Sequence, residues 1–479
     1  MGVKTARLII AGLSGDSGKT IVSLSLAVAL SRRGHKVATF KKGPDYIDAA
    51  WLSAVSGDLC HNLDTWLAHN KTVVDIFTHK AQTAEFALIE GNRGLFDGKD
   101  MEGSHSTAEL AKLLQAPLIL TVDATKATRT IAALIKGCQV FDPEIKIDGV
   151  ILNKIAGERH RRIITAAVEK YCGLPVLGAI PKLGQDAAII PGRHLGLIPP
   201  AEFIATHNVT DKLLNIAENY IDIDRLIKIA KNAPEMPEAG PSHEVEACQA
   251  VRIGYFRDSV FTFYYPENLE ALEHHGAQLV PLSSLESSSL PPIDGLYIGG
   301  GFPETQAEKL CANRALMNSV RSAADSGMPI YAECGGLIYL CRSLLWDDKK
   351  FEMTGVFPID LEMNAKPAGH GYTELLCDRD NPFFGTGTAI RGHEFHYTRP
   401  VDNSDCPKTS LKVKRGSGLG NERDGLLYKN TMAAYTHIHA AGNVEWAHRF
   451  IAAAAEFKRG KGSASGLGTP HGCVCSAGY

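Results

Sequence analysis

Long apolar runs, a strong net charge and paired cysteines are all missing from this 479-residue chain. No apolar stretch is long enough to span a bilayer, and residues 1–11 lack the layout of a signal peptide. We therefore expect a cytoplasmic protein without a membrane partner. The formal net charge is only −3, which excludes a global field that would recruit nucleic acid. An anionic partner must instead meet a local cluster of cations.

The cysteines also lack the spacing of a disulfide framework. Eleven are present, an odd number, and they are scattered until Cys473 and Cys475 near the end. In a reducing compartment this pattern favours free thiols. Hydrophobic residues make up 44% and charged residues 22%, as in ordinary globular proteins, and the length predicts two or three domains.

A glycine-rich turn, GLSGDSGKT at residues 12–20, lies between an apolar run and an apolar-periodic segment. The backbone N–H groups of such a turn surround an anion, and the following helix adds its positive end. Lys19 would reach the β/γ-phosphates and Thr20 would offer its hydroxyl to Mg²⁺. The alternative is a turn with a solvated lysine. We predict an ATP-binding loop that comprises Gly15, Asp16, Ser17, Gly18, Lys19 and Thr20.

Two further motifs place charged side chains directly after predicted strands, KKGPDYID at residues 41–48 and EGNRGLFDG at residues 90–98. Open α/β sheets bind ligands at the carboxyl ends of their strands. Asp45 or Asp48, together with Glu90, is a candidate for holding Mg²⁺. Ordinary turn chemistry is the alternative for the aspartates. We expect the following residues of the two motifs to meet the substrate: Lys42, Asp45, Asp48, Arg93 and Asp97.

Strands alternate with helical stretches through the rest of the first half. The end of the strand at residues 148–154 places Asn153 and Lys154 to meet an adenine base. The alternation indicates an α/β fold, a doubly wound parallel sheet with helices on both faces, closed by a helix at about residues 204–230. Residues 233–250 carry prolines without an apolar period, which predicts a linker between domains at residues 1–232 and 251–457.

The most specific motif of the second half is PIYAECGGL at residues 329–337. A strand ends at a turn of small residues and Gly335 begins a helix, which predicts that Cys334 occupies a nucleophile elbow. A helix N-terminus lowers the pKa of a thiol and its N–H groups can hold an oxyanion. The glycine triplet at residues 299–301 is a second source of such N–H groups. A buried, inert cysteine is the alternative.

A nucleophilic cysteine needs a base, and the run AYTHIH at residues 434–439 offers two histidines on one face of a strand. We choose His437 as the base, with His439 in reserve. A metal site in the His-rich strand at residues 391–397 is disfavoured, because ordinary hydrogen bonding explains its polar residues. Residues 458–479 are basic and then rich in Gly and Ser, so we expect a flexible tail.

Together these stretches resemble the cobyrinic acid a,c-diamide synthase family over about residues 5–455. The first half is similar to dethiobiotin-synthetase-like ATPases and the second to class I glutamine amidotransferases. The resemblance rests on the phosphate-binding loop (P-loop) at residues 12–20, in which five residues instead of the usual four separate Gly12 from Gly18. It rests also on the motifs FKKGPDYID (40–48), EGNRGLFDG (90–98), RHLGL (193–197), FTFYYPEN (261–268), GGGFPE (299–304), AECGG (332–336) and RGHEFHYT (391–398).

The family implies that ATP and L-glutamine amidate the a and c acetate groups of a tetrapyrrole, with Mg²⁺. Cys334 matches the family's nucleophile and His437 the histidine that activates it. The triad of many relatives ends His-x-Glu, whereas this chain has His439 at the last position, so the orienting acid stays unassigned. A polycarboxylate substrate would meet cations at strand ends, for which the candidates are Lys42, Arg93, Lys126 and Arg129.

Two alternatives remain open at this point. One is the same amidation on siroheme or nickel-sirohydrochlorin, which carry the same acetate groups. The other is a partitioning-type ATPase switch, although such proteins place a second lysine where this chain has Ser14. The oligomeric state is also open, with a homodimer as the candidate.

Overall fold

The computed structural model describes residues 5–183, 189–190, 192–193, 196–200, 206–237, 250–401 and 407–464. The first half contains β1 (Ala6–Gly12), α1 (Lys19–Arg32), β2 (Val37–Lys42), α2 (Tyr46–Ser56), β3 (His61–Leu63), α3 (Asn70–Ala81), β4 (Phe86–Glu90), α4 (Thr107–Leu113), β5 (Leu118–Asp123), α5 (Arg129–Phe141), β6 (Ile147–Ile155), α6 (Glu158–Cys172), β7 (Val176–Pro181), β8 (Gly192–Arg193), β9 (Gly196–Leu197), α7 (Thr206–Tyr220) and α8 (Ile223–Lys231).

The second half contains β10 (Val251–Phe256), α9 (Pro266–His274), β11 (Ala277–Leu282), β12 (Gly295–Ile298), α10 (Ala307–Ala312), α11 (Arg314–Asp325), β13 (Ile330–Glu333), α12 (Gly335–Leu340), β14 (Ser343–Trp346), β15 (Lys349–Glu352), β16 (Asp360–Met363), β17 (Gly369–Cys377), β18 (Ala389–His396), β19 (Thr398–Pro400), β20 (Thr409–Arg415), β21 (Arg423–Tyr428), β22 (Thr431–Ala434), β23 (His437–Ile438) and α13 (Glu445–Ala464). Two 3₁₀ turns lie at Pro303–Gln306 and Ala440–Gly442.

The first half is a seven-stranded parallel sheet in the order β3-β2-β4-β1-β5-β6-β7. Strand β1 is buried on both faces: Ile9 belongs to one hydrophobic core, and Leu8 and Ile10 belong to the other. Helix α1 packs against the sheet and against α2 and α7, which explains why apolar residues surround it on nearly every side. The predicted doubly wound sheet is confirmed.

The second half is organised around a ten-stranded mixed sheet in the order β11-β10-β12-β13-β22-β21-β20-β17-β18-β23. Strands β11, β10, β12, β13 and β22 are mutually parallel, and the remaining pairs are antiparallel. A smaller sheet, β15-β14-β16-β19, lies beside it. This is the predicted amidotransferase-like α/β architecture.

The two halves dock through the segment that follows β3. Trp66 and Leu67 share a small core with Tyr265 of the second half. The Trp66 indole donates a hydrogen bond to the carbonyl of Gly392 at 3.2 Å, and the Tyr372 hydroxyl donates to Asp64 at 2.6 Å. The carboxyl ends of both parallel strand sets meet the same interdomain space because this segment joins them.

The structure refines three boundaries. The helix predicted at residues 204–230 is two helices, α7 and α8, with the break at Ile221 and Asp222, where Asp222 caps α8. The predicted linker begins with packed residues, since Met236 is buried in the first core, while residues 238–249 lie outside the description. The predicted tail is wrong at its start, because α13 continues to Ala464. Residues 465–479, with Cys473 and Cys475, lie outside the described residues, as do His194 and Leu195.

Candidate active site

A cavity of about 1120 Å³ opens between the two halves. Its walls include Lys19 and Glu90 from the first half and Cys334 and His437 from the second. The residues predicted for phosphate binding and those predicted for nucleophilic catalysis therefore line one shared cavity.

The P-loop is held in shape by its own serines. The Ser17 hydroxyl accepts a hydrogen bond from the Ser14 amide and donates one to the Ser14 carbonyl. Gly18 has a φ of 95°, in the region that favours glycine, and a Cβ there would lie 2.1 Å from the Asn153 amide. Lys19 is buried against the loop, and burial together with the nearby Lys41 lowers its pKa.

Asn153 and Lys154 brace this loop from the end of β6. The Asn153 amide donates to the Ser17 carbonyl at 3.0 Å. The Lys154 ammonium lies 2.7 Å from an Asp123 carboxylate oxygen and 3.4 Å from the Asp16 carbonyl. Both residues also line the cavity. The adenine contact stays a prediction, whereas the structural contact is with the loop backbone.

The ends of β1, β2 and β4 bring together Thr20, Lys41, Asp48 and Glu90. The Thr20 hydroxyl donates to Glu90 at 2.8 Å, and Lys41 lies 2.6 Å from Asp48 and 2.9 Å from Glu90. Burial raises the pKa of Glu90 to about 7, against the opposing effect of Lys41. Burial opposes the Lys41 charge, but the two carboxylates outweigh it, so the pKa of Lys41 lies above its ordinary value.

Lys41 is a residue that the sequence analysis missed. The prediction was made for the neighbouring Lys42, which is also buried and lines the cavity. Burial lowers the pKa of Lys42, and the positive charges of Lys41 and Arg93 add to this. Alternation along β2 sends the two lysines to opposite faces, and the register places Lys41 opposite Glu90. That register was the missing information.

Asp45 and Asp97 have structural contacts as well as positions on the cavity wall. Asp45 caps α2 by accepting from the Asp48 amide at 2.9 Å, and burial and the Asp48 charge raise its pKa to about 6. Asp97 accepts from the Gly94 amide at 2.8 Å. The turn chemistry considered for both is therefore present.

Two of the four candidate cations, Lys42 and Arg93, line the cavity, and the other two do not. Arg129, the first residue of α5, lies over the ring of Tyr171 on α6 at 4.8 Å, and Lys126 lies on the connection between β5 and α5. Arg93 is exposed and has a φ of 49°. Among the described residues it forms no ion pair with Asp97 or Asp100; Asp100 lies near Lys99 instead.

Cys334 occupies the turn between β13 and α12 with φ 46° and ψ −97°, a strained conformation for a residue with a side chain. The following glycines are packed closely: a Cβ on Gly336 would lie 2.4 Å from the Ile298 carbonyl. The predicted elbow is therefore present. The expected low thiol pKa is wrong, because burial raises the pKa of Cys334 well above its usual range and the carboxylates of Glu304, Glu333 and Glu394 add to this.

His437 lies against the first half as well as the second. Its ring stacks on His393 at 4.9 Å and approaches the ring of Tyr46, at the start of α2, at 5.3 Å. Gly300 makes room for it, since a Cβ there would be 2.4 Å from His437 Cε1. The Nδ1 atom lies 3.5 Å from a carboxylate oxygen of Glu333.

His439, the reserve base, belongs to a different cluster. Its Nε2 lies 3.4 Å from the Glu267 carboxylate, whose other oxygen is 2.9 Å from His61 Nδ1. The two histidines contact different carboxylates, Glu333 for His437 and Glu267 for His439. His439 joins the domain contact, and only His437 lines the cavity.

The His-rich strand β18 contains hydrogen-bonded polar residues, as the sequence analysis favoured. Glu394 accepts from the amides of Ser417 and Gly418, and His396 contacts the Thr398 carbonyl. Over the described ranges, no group of three or more His, Cys, Asp or Glu residues is arranged to hold a metal. No helix within those ranges is both long and apolar enough to cross a membrane.

Each half of the chain matches a known protein family. Residues 8–194 match a CobQ/CobB/MinD/ParA nucleotide binding domain, and residues 252–444 match a CobB/CobQ-like glutamine amidotransferase domain. The chain is 42% identical to the cobyrinate a,c-diamide synthase of Magnetococcus marinus, over 97% of this chain and 100% of that protein. The chain belongs to the cobyrinate a,c-diamide synthase family. Its two domains make it a glutamine-dependent carbon–nitrogen ligase with a nucleotide-binding site.

Other members of the cobyrinate a,c-diamide synthase family are nearly as similar over most of their length. The enzyme of Dehalococcoides mccartyi strain CBDB1 is 40% identical, over 94% of this chain and 98% of that protein. The Archaeoglobus fulgidus enzyme is 38% identical, over 93% and 96%. A solved glutamine amidotransferase aligns with 42% of this chain at 17% identity and a TM-score of 0.31, a similarity too low to carry an argument.

Proposed function

We propose that this protein amidates the a and c acetate carboxylates of cobyrinic acid, using ATP and the amide nitrogen of glutamine. The single observation that carries the proposal is the cavity shared by the P-loop and by Cys334 and His437. The names of the relatives support the choice of substrate. Consumption of ATP and free glutamine fits the cytoplasmic location that the sequence predicts.

In the first half, the protein binds ATP and converts a poor electrophile into a good one. A substrate carboxylate oxygen attacks the γ-phosphorus of ATP, and the bond between this phosphorus and the β–γ bridging oxygen breaks. ADP departs, and the substrate carboxylate has become an acyl phosphate. Lys19 and the loop amides stabilise the charge that moves to the leaving oxygen. Lys42 and Arg93 bind the other carboxylates of the substrate, since both line the cavity.

Thr20, Asp48 and Glu90 would hold Mg²⁺. Glu90 Oε2 supports this assignment, because it is buried and finds no hydrogen-bond partner among the described residues. Mg²⁺ is commonly bound by one or two carboxylates together with substrate phosphates and water, so the lack of a three-carboxylate cage fits it. The ion, when bound, neutralises phosphate charge. The protein's part is the hydroxyl and carboxylate oxygens at the strand ends.

In the second half, Cys334 and His437 release ammonia from glutamine. His437 takes the thiol proton, the sulfur attacks the amide carbon, and the C–N bond breaks as the proton passes to the departing nitrogen. Water then hydrolyses the thioester to glutamate. The oxyanion would lie at the start of α12, where the Gly301 amide approaches Gly335: a Cβ on Gly335 would be 2.9 Å from it.

Ammonia then attacks the acyl phosphate across the cavity, and inorganic phosphate leaves as the amide forms. Holding the two reactants close together in a reactive orientation would supply about 7 kcal/mol of the barrier reduction. Tyr46 stands where the two sites meet, since its ring stacks on Phe263 at 5.0 Å and lies near His437. Ammonia would pass this ring on its way to Glu90 and the P-loop.

The decisive experiment incubates the purified protein with ATP, Mg²⁺, glutamine and a panel of tetrapyrroles. Products are identified by mass spectrometry. We expect two amide additions to cobyrinic acid, each a loss of about 1 Da relative to the carboxylic acid, and little product from sirohydrochlorin derivatives. If only siroheme or nickel-sirohydrochlorin is amidated, that compound and not cobyrinic acid is the substrate. ATP hydrolysis with no glutamine use would favour the partitioning-type switch.

A further inference from the structure

Glu333 is a carboxylate at the centre of the second half for which neither the sequence motifs nor the proposed function has a role. It ends β13 and directly precedes Cys334. Its side chain is fully buried, with a relative exposure of 0%. A buried carboxylate is costly unless its oxygens accept hydrogen bonds, so its partners indicate what it is for.

Three protein donors hold the Glu333 carboxylate in place. The Tyr297 hydroxyl donates to Oε2 at 3.2 Å, the Tyr331 hydroxyl donates to Oε1 at 3.2 Å, and the Ile438 amide donates to Oε1 at 3.1 Å. Burial and the negative charge of Glu333 raise the pKa values of Tyr297 and Tyr331 well above the ordinary tyrosine value. Both hydroxyls therefore remain donors, and the carboxylate is fixed from two strands and from the residue after His437.

One side of the Glu333 carboxylate remains for His437. Its Oε2 lies 3.5 Å from His437 Nδ1, and the two side chains are 0% and 3% exposed. In the part of the chain that the structure describes, His437 Nδ1 is buried without a hydrogen-bond partner. A distance of 3.5 Å is longer than a good hydrogen bond, but catalytic hydrogen bonds often shorten only when substrate binds.

The position after His437 that carries the acid in His-x-Glu triads is occupied here by His439, which is engaged with Glu267 at 3.4 Å. Glu267 in turn contacts His61 of the first half. His437 and His439 therefore belong to two separate His–Glu pairs, and of these two histidines only His437 lines the cavity.

We propose that Glu333 is the positioning carboxylate of the glutaminase site and replaces the acid that follows the histidine in His-x-Glu triads. It acts through His437 and does not touch glutamine. The inference rests on the proposed function, in which Cys334 and His437 release ammonia. Glu333 accepts the Nδ1 proton of neutral His437, which leaves Nε2 free to take the thiol proton, and it stabilises the imidazolium formed as that proton arrives.

The location of Glu333 beside Cys334 makes the geometry rigid. Strand β13 ends at Glu333 and Cys334 follows it directly, while the Ile438 amide ties the Glu333 carboxylate to β23. The distance between base and nucleophile is then set by main-chain connections instead of a flexible loop.

The test compares Glu333→Gln with Glu267→Gln, a matched change in the other His–Glu pair, in the full-length protein. We expect Glu333→Gln to lower kcat for glutamine-dependent amidation at least about 100-fold, with the glutamine KM changed less than threefold. Ammonia-dependent amidation should stay near wild type, which shows that the fold and the ATP site are intact. Glu267→Gln should keep kcat for glutamine within about threefold, because His439 does not face the cavity.

Unchanged glutamine turnover in Glu333→Gln would refute the inference, and so would an equal loss with ammonia and with glutamine. If the wild type itself fails to use glutamine, the proposed function fails instead, which separates the two results. A measurement on the wild type that leaves Glu333 in place is the ¹⁵N spectrum of the histidine-labelled protein, in which the His437 signal is assigned by its absence from the spectrum of His437→Asn. We expect the proton of neutral His437 on Nδ1; a proton on Nε2 contradicts the role of Glu333.

Discussion

At the strand ends of the first half, charged groups neutralise one another, whereas at the strand ends of the second half a thiol lies among aromatic rings and carboxylates. Lys41 lies within 3 Å of both Asp48 and Glu90. Cys334 has no cation of this kind among the causes that shift its pKa, which rises. Both sites use the same position in a parallel sheet, but they suit different chemistry.

The difference indicates how each site would be activated. The first already presents a cation and two carboxylates, which would pair with phosphates and a metal ion when these bind. In the second, burial raises the pKa of the Cys334 thiol, so that the proposed nucleophile would stay protonated until a base takes its proton. The first site would thus be prepared by its ion pairs, and the second by the position of His437 near the Glu333 carboxylate.

Replacing Cys334 by Ser should have the largest effect, and on one nitrogen source only. We expect glutamine-dependent amidation to fall more than about 1000-fold, because the nucleophile is lost, while ammonia-dependent amidation stays within threefold. Steady-state rates with each nitrogen source measure this. An equal loss of ammonia-dependent amidation would contradict the separation of the two sites, since Cys334 would then serve the ATP site as well.

The reciprocal change, Lys19→Ala, should lower amidation about 100- to 1000-fold with either nitrogen source, because both routes need charge stabilisation at the transferred phosphoryl group. Glutamine hydrolysis measured without tetrapyrrole should persist. Near-normal ammonia-dependent activity in this variant would show that carboxylate activation does not occur at the P-loop.

Lys41→Met should show how much the ion pairs of Lys41 with Asp48 and Glu90 contribute to the free energy of unfolding. Removing one partner of a buried pair costs about 3–5 kcal/mol, so we expect a loss of that size at pH 8 and a smaller one at pH 5. The direction of this pH dependence follows from Glu90, because burial raises the pKa of its carboxyl group to about 7 from the usual 4.5. Such a carboxyl stabilises the fold fully below pH 4.5, and this contribution is lost as pH rises through the folded pKa.

The control for this experiment is Lys42→Met. Burial lowers the pKa of Lys42, so its charge does not stabilise the fold as that of Lys41 does. Chemical denaturation of both variants at the two pH values should give a pH-dependent loss for Lys41→Met only. Equal behaviour of the two lysines would show that the Asp48 and Glu90 contacts do not hold the site together.

The smallest expected effect is on substrate affinity. Arg93→Ala should raise the tetrapyrrole KM about tenfold, equal to about 1.4 kcal/mol for one charge-assisted contact, and leave the glutamine KM nearly unchanged. Arg129→Ala is the matched control, since Arg129 lies on Tyr171 and away from the cavity. An unchanged tetrapyrrole KM in Arg93→Ala would leave Arg93 as a loop residue.

The sequence by itself determined the features that depend on short stretches of chain. The P-loop, the elbow at Cys334 and the strand ending at Glu90 are each a strand, a turn and a helix or loop in succession, so glycine placement and apolar runs suffice to predict them. The doubly wound first sheet followed from the alternation of strands and helices. These predictions match the structure at β1, β4 and α12.

Only the tertiary structure decided which side chains meet. Lys41 and Lys42 are adjacent in the sequence, and the register with β4 alone places Lys41 opposite Glu90. His437 and His439 carry the same signal in the sequence, but His437 lies near Glu333 and His439 near Glu267. Partners more than 100 residues apart leave no local pattern, because a hydrogen bond depends on position in space and not on separation along the chain.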